Sequence, residues 1–140
     1  LVQHEAGGHG FAKLADEYVS TSDVTITLDE IANICAYAEY GWWKNVDFTS
    51  DPEKVKWAHI LSDERYADEP EGVYEGARNC SRGIWRPTYD SIMMDNKGSF
   101  NAPSREAIWY RIHKLAYGSD WQYDFEDFVR YDSVNRLPEY

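Results

Sequence analysis

The sequence predicts a mainly α protein with a small, irregular β-hairpin region. Helical periodicity with recognisable start signals recurs along the chain, and short β-rich patches occur between residues 72 and 94. The 140 residues correspond to about one domain, and 43% of them are apolar, which is enough for a hydrophobic core. We therefore treat residues 1–140 as part of one folded unit.

Three helices are predicted in the first half of the chain. The first runs from about residue 2 to residue 14. The second opens at a capping box formed by Thr27 and Glu30, and its apolar face consists of Ile31, Ile34, Cys35 and Ala38. The third is expected to start at Asp51 and Pro52, because proline suits the first turn of a helix; its apolar residues are Val55, Ala58 and Leu61.

The second half should contain the hairpin and two further helices. Glycines and Pro87 punctuate residues 72–94, which predicts a loose hairpin. A helix is expected from Pro103 to the terminating Gly118, with three residues pointing inward: Ile108, Ile112 and Leu115. A short last helix is predicted over residues 125–133.

A zinc-peptidase motif with one extra residue lies at the start of the chain, where residues 1–9 read LVQHEAGGH. In the usual H-E-x-x-H motif, two histidines four positions apart bind zinc from one helical face, and the glutamate lies beside the metal. Here His4 and His9 are five positions apart, with Gly7 and Gly8 between them.

The extra residue poses a geometric problem. On a regular α-helix, positions i and i+4 lie about 40° apart around the axis, but i and i+5 lie about 140° apart. A widened π-type turn at residues 6–8 would bring His4 and His9 back to one face. Gly7 and Gly8 offer no side chains to resist it, although each costs about 0.5–1 kcal/mol in a helix. The alternative interpretation is a surface helix with two unrelated histidines.

A third metal ligand is expected shortly after this helix. A catalytic zinc takes three protein ligands and keeps one open position for water. Asp16 lies seven residues past His9, close to where the chain should have left the helix and doubled back, and it is the preferred ligand. Glu17 is the alternative ligand. Without the histidines, these acids would be interpreted as part of a solvated acidic stretch.

Zinc chemistry assigns a role to each residue. His4 and His9 would bind Zn²⁺ as neutral imidazoles and Asp16 as a carboxylate, which leaves a water whose pKa falls to roughly 7. Glu5 would act as general base toward that water and then pass the proton to the leaving amine. A donor to the oxyanion is also needed, and the sequence leaves three choices open: Tyr18, Arg86 and Tyr89.

A later segment makes a family resemblance specific. Residues 89–95 read YDSIMMD, and the Ser-Ile-Met within them resembles the Met-turn of metzincins. Together with HEAGGHGFAKLADEY at residues 4–18, the chain resembles the IgA-peptidase-like family of bacterial zinc metallopeptidases, in particular its branch from Bacteroides-type gut bacteria. Further stretches similar to that branch occur at residues 55–58, 72–76, 83–88 and 100–108.

The resemblance implies that the chain is the C-terminal portion of a zincin- or metzincin-like α+β catalytic domain. Met93 would then form a hydrophobic floor under the metal. Zincin-like enzymes place a sheet and a backing helix before the zinc helix, so we expect an N-terminal portion of the same enzyme as a partner, and weak zinc binding and cleavage by the 140 residues alone. Two departures exist: Ala12 stands where metzincins carry a turn glycine, and Asp95 replaces the extra tyrosine ligand of astacin-like enzymes.

The expected partners are protein or peptide substrates. The net charge of −11 argues against nucleic acid, because phosphate binding needs an excess of lysine and arginine, and no apolar run is long enough for a membrane span. By resemblance the enzyme is exported from a Gram-negative gut-type bacterium: secreted, periplasmic or anchored at the cell surface. Cys35 and Cys80 are too few for a disulfide scaffold, and their redox state is left open.

Two other functions fit parts of the sequence. The extra residue could spoil the metal site and leave a non-catalytic binding module of the bacterial surface. A purely structural zinc site is the second, and it would require four protein ligands and no exposed Glu5. The leading hypothesis remains a zinc-dependent endopeptidase.

Overall fold

The computed structural model describes residues 1–136 of the chain. The fold is mainly α with one two-stranded antiparallel sheet, in agreement with the class predicted from the sequence. In chain order the elements are a π-helix (Gln3–Ala12), α1 (Leu28–Ala38), α2 (Ala58–Leu61), a 3₁₀ turn (Glu64–Tyr66), β1 (Tyr74–Ala77), β2 (Cys80–Arg86), α3 (Ile92–Asp95), α4 (Ala102–Tyr117), a second 3₁₀ turn (Gly118–Asp120) and α5 (Phe125–Asn135). Among these helices, none combines the length and apolarity needed to cross a bilayer.

The predicted hairpin is present and its turn supports the segment that follows the π-helix. β1 and β2 pair in an antiparallel register from Tyr74 opposite Arg86 to Ala77 opposite Cys80. The two turn residues, 78 and 79, have φ values of 50° and 63°, as a two-residue hairpin turn of the primed type requires. Their amides donate to the carbonyls of residues 16 and 18 at 3.0 and 3.1 Å. The hairpin tip thus holds the backbone on both sides of Glu17.

α1 begins as the sequence predicts. The Thr27 side chain accepts from the Glu30 amide, and the Glu30 carboxylate accepts from the Thr27 amide, which completes the capping box. Ile34 is fully buried in a cluster with residues of the hairpin and of the segment after the π-helix. Cys35, predicted on the apolar face, is exposed, whereas Cys80 lies buried at the start of β2; both are free thiols.

α4 joins the π-helix to the C-terminal half of the core. Its first half packs against the π-helix, and Trp109 packs with Phe128 of α5 and with Trp57 in the largest hydrophobic cluster. Arg105 forms a bidentate ion pair with Asp132 of α5, at 2.8 and 2.9 Å. This pair supports the last helix, which extends two residues beyond its predicted end.

The third predicted helix is much shorter than expected. Turns occupy most of residues 51–57, and only Ala58–Leu61 is α-helical. The Asp47 carboxylate accepts from the Lys56 amide at 2.8 Å, so that amide is not available to continue a helix from residue 52. A distant side-chain acceptor has replaced the local helical bond.

The predicted inner face of α4 is wrong in its second half. Ile108 is partly buried beside the π-helix, but Ile112 and Leu115 are 46% and 61% exposed. All five fully buried residues of this helix lie in its first half, between positions 102 and 109. The second half of α4 therefore extends beyond the elements that pack against its first half. It ends at Gly118, as predicted.

Candidate metal centre

The first element of the site is the π-helix, which brings His4 and His9 together. Their Nε2 atoms lie 3.1 Å apart, so the prediction that the two histidines converge on one side of a widened helix is confirmed. The widening is more extensive than a single turn at residues 6–8, because π-type hydrogen bonding covers Gln3–Ala12. In a helix with i→i+5 bonds, side chains five positions apart share a face.

The chain turns out of this helix at Lys13. This residue has φ 58°, the left-handed conformation, and its amide donates to the Gly8 carbonyl. The turn thus occurs one residue after Ala12, and a lysine occupies the conformation that glycine adopts most easily. Asn45, fully buried, then accepts from the Ala15 amide at 2.8 Å and donates to the Ala15 carbonyl at 2.9 Å. These bonds fix the backbone that presents Asp16.

Asp16 completes a three-residue cluster with the histidines. Its Oδ1 lies 3.2 Å from His4 Nε2 and 2.9 Å from His9 Nε2. His4 is almost fully buried, whereas the side chains of His9 and Asp16 are 31% and 26% exposed. The cluster is therefore anchored on the protein side and open to solvent on the other.

Backbone carbonyls fix the protons of both imidazoles. His4 Nδ1 lies 2.7 Å from the Ile92 carbonyl oxygen, and His9 Nδ1 lies 2.8 Å from the Leu14 carbonyl oxygen. A carbonyl only accepts, so each Nδ1 carries the hydrogen and, in a neutral ring, each Nε2 presents a lone pair. Metal-binding histidines are commonly oriented by this kind of second hydrogen bond.

Three lone-pair atoms consequently converge at about hydrogen-bond distance from one another. With both imidazoles neutral, no hydrogen lies between the two Nε2 atoms, and their lone pairs and the Asp16 carboxylate repel unless a cation is shared. Donors about 2.0–2.1 Å from a tetrahedral zinc ion lie about 3.3 Å apart, slightly more than the separations here. The donor set of two imidazoles and one carboxylate suits Zn²⁺. The residues present therefore fit a zinc ion.

Met93 packs against the π-helix at Gly8. It is fully buried on α3, in a cluster with Ala12 and Leu14. Its backbone carbonyl accepts from the Glu17 amide at 2.9 Å, and the preceding carbonyl, of Ile92, holds His4. α3 thus supports the cluster both by packing and by orienting one imidazole.

Gly8 lies in close contact with Met93. A methyl group at position 8 would overlap Met93 Sδ and lie 2.9 Å from Met93 Cε, whereas one at position 7 would lie 3.7 Å from Phe100 Cζ, an ordinary contact. We expect Gly8→Ala to be less stable than Gly7→Ala by about 1–3 kcal/mol, since displacing a fully buried side chain strains the core. Urea denaturation of both variants measures this difference.

The Gly7→Ala variant is the matched control, because both substitutions add one methyl group to the same helix and gain the same helix propensity. Equal midpoints for the two variants would show that Met93 yields without cost. Zinc affinity provides a second readout, and we expect it to fall in Gly8→Ala alone.

Glu17, the alternative third ligand, points away from the histidines. It is fully buried, and its carboxylate accepts from Ser91 Oγ at 2.6 Å, Asn45 Nδ2 at 2.9 Å and Asn101 Nδ2 at 3.1 Å. Burial raises the pKa of Glu17, and these three hydrogen bonds oppose that rise. The residue joins the segment after the π-helix to α3 and to the start of α4.

Only one of these hydrogen-bond partners could be anticipated from local sequence. Asn101 precedes the first turn of α4 and caps it through Ser104 N at 3.1 Å, a role for which asparagine is favoured. Its capping position could have been found from the sequence. No local pattern marks Asn45 or Ser91 as partners of Glu17, because these contacts span 28 and 74 positions.

The remaining sequence candidates take different positions. Glu5 follows His4 on the π-helix and is exposed to solvent. Desolvation and then the negative charge of Asp16 raise the pKa of Tyr18, with a smaller effect from Glu5. The Arg86 guanidinium instead donates to the carbonyls of residues 75 and 76 at 2.8 and 2.7 Å, and Tyr89 is 74% exposed. Of the three candidate oxyanion donors, Tyr18 is on the segment that presents Asp16, whereas Arg86 is engaged by the hairpin backbone.

The comparisons with known proteins do not add a family assignment: no family model and no curated protein matches the chain.

Proposed function

We propose that this protein is a zinc-dependent endopeptidase that hydrolyses peptide bonds in protein substrates. The observation that carries the proposal is the convergence of His4 Nε2, His9 Nε2 and Asp16 Oδ1 within 3.2 Å of one another, with both Nδ1 atoms bound to carbonyls. This is the ligand number of a catalytic rather than a structural zinc site. The exposed side of the cluster leaves room for water and substrate.

In the proposed reaction, each residue of the site has a separate role. A zinc ion bound here supplies a Lewis acid that polarises the peptide carbonyl and increases the acidity of water near neutral pH. The Glu5 carboxylate accepts a proton from the attacking water and returns it to the leaving amine nitrogen. The Tyr18 phenol, as a hydrogen-bond donor, stabilises the oxyanion that develops on the carbonyl. The Asp16 carboxylate and the two imidazoles hold the ion.

A structural zinc site has less support. It would need a fourth protein ligand, and within residues 1–136 the cluster comprises His4, His9 and Asp16 alone. Glu17, which follows Asp16, is already engaged by three donors. A non-catalytic module that has lost metal remains the alternative function, and it predicts a protein without bound zinc.

The test uses the full-length protein and measures metal content before activity. Elemental analysis should find one zinc per chain, and casein hydrolysis should stop with 1,10-phenanthroline and return on addition of zinc. Asp16→Ala should lose both zinc and activity, whereas His113→Gln, which removes a histidine that packs on Trp109 far along α4, should retain both. Absent zinc would favour the binding module, and stoichiometric zinc without hydrolysis would favour a structural site.

A further inference from the structure

A second concave site lies apart from the histidine–aspartate cluster. A cavity of about 400 Å³ opens between the loop after α1, the start of α2 and one side of α4. Four aromatic side chains line it: Trp42, Trp57, Tyr110 and Tyr123. Small-molecule sites are typically clefts of about 300–1,000 Å³ with apolar and aromatic walls and a few polar groups. The cavity has the size and lining of such a site.

Two lysines supply its positive charge. Lys44 Nζ lies 4.3 Å from the centre of the Tyr110 ring, and Lys56 Nζ donates to the Trp43 carbonyl at 3.1 Å. Neither ammonium group forms an ion pair with a carboxylate in residues 1–136, in contrast to Lys54, which pairs with Asp51 at 2.8 Å. Burial lowers the pKa of Lys44, and the negative charge of Glu106 opposes that shift. Lys44 is half-buried, whereas Lys56 is exposed. Both lysines therefore contribute a positive charge to the lining of the same cavity.

One carboxylate, that of Glu106, also lines the cavity. Other side chains of the protein already donate hydrogen bonds to it. Glu106 accepts from His59 Nε2 at 2.9 and 3.0 Å and from the Tyr123 hydroxyl. Among the lining residues, two lysines stand beside one glutamate, and the Asp47 carboxylate, which accepts from the Lys56 amide, lies outside the lining. This local excess is unusual in a chain whose net charge is −11. A ligand with one negative charge would offset the excess of one lysine over the carboxylate of the lining.

We propose that this cavity binds a small aryl monocarboxylate. The aromatic ring of the ligand lies against the walls formed by Trp42 and Tyr110, and its carboxylate lies between Lys44 and Lys56. The ligand charge then offsets the repulsion between the two ammonium groups, and each lysine gains a charge-assisted hydrogen bond. The site is independent of the proposed peptidase activity, because none of its residues belongs to the metal cluster.

Isothermal titration with 2-naphthoate tests the proposal on the full-length protein. Chelator is present throughout, so that the carboxylate cannot bind through a metal at the other site. We expect 2-naphthoate to bind at least about tenfold more tightly than the neutral 2-naphthalenemethanol, since one charge-assisted contact has that magnitude. Inorganic phosphate should not displace it. Equal affinity for the alcohol, displacement by phosphate, or no naphthoate binding at millimolar concentration would overturn the proposal.

Lysine variants locate the binding site. Lys44→Gln and Lys56→Gln should each weaken 2-naphthoate binding by about five- to tenfold and leave binding of the alcohol unchanged. Lys54→Gln is the matched control, because Lys54 is 74% exposed and lies outside the cavity. Circular dichroism establishes that each variant is folded. Unchanged naphthoate affinity in the folded Lys44→Gln, Lys56→Gln double variant would overturn the assignment.

Discussion

Glu5→Gln should bind zinc as the unmodified protein does and hydrolyse casein at least about a hundredfold more slowly. The amide keeps the size of the side chain but cannot accept the proton of the attacking water, and proton transfer by a positioned group contributes about 10²–10⁴-fold. Zinc should remain because His4, His9 and Asp16 are unchanged, and because Glu5 is exposed and outside their cluster. Elemental analysis and initial rates on the same preparation measure the two quantities.

The control for this variant is Glu64→Gln, which makes the same chemical change at another exposed glutamate, in the first 3₁₀ turn. Its rate should equal that of the unmodified protein. Full hydrolysis by Glu5→Gln would remove this residue from the mechanism. Loss of zinc in Glu5→Gln would instead mean that the carboxylate helps to hold the ion.

Glu17→Ala should lower the free energy of unfolding by about 3 kcal/mol or more. The substitution leaves three donors without their acceptor: Ser91 Oγ and the side-chain amides of Asn45 and Asn101. Each unsatisfied buried group costs about 1–3 kcal/mol, although water entering the vacated space would recover part of this. Urea denaturation measures the loss.

Two further variants separate the hydrogen bonds from the loss of charge and volume. Glu17→Gln keeps the volume and one acceptor oxygen, so we expect it to lose less stability than Glu17→Ala. Glu53→Ala, at an exposed site, should change the free energy of unfolding by no more than about 0.5 kcal/mol. If Glu17→Ala were as stable as Glu53→Ala, the hydrogen bonds of Glu17 would contribute nothing measurable to the stability of the fold.

The fold could be predicted where its signals are local. The capping box at Thr27, the hairpin before Met93 and the end of α4 at Gly118 all depend on residues within a few positions of one another. The prediction was wrong where a distant group intervened. The Asp47 carboxylate takes the Lys56 amide out of the third helix, and the second half of α4 extends beyond its packing partners, which exposes Leu115.

The same division applies to the candidate metal centre. The sequence by itself determined that His4 and His9 could meet, because two glycines within one turn permit a π-helix and the spacing then places both imidazoles on one face. Only the tertiary structure decided between Asp16 and Glu17. The buried donors that receive Glu17 come from residues 45, 91 and 101, which are far from it in sequence. Glu17 is therefore held inside the protein, and Asp16 is the acid that lies beside His4 and His9.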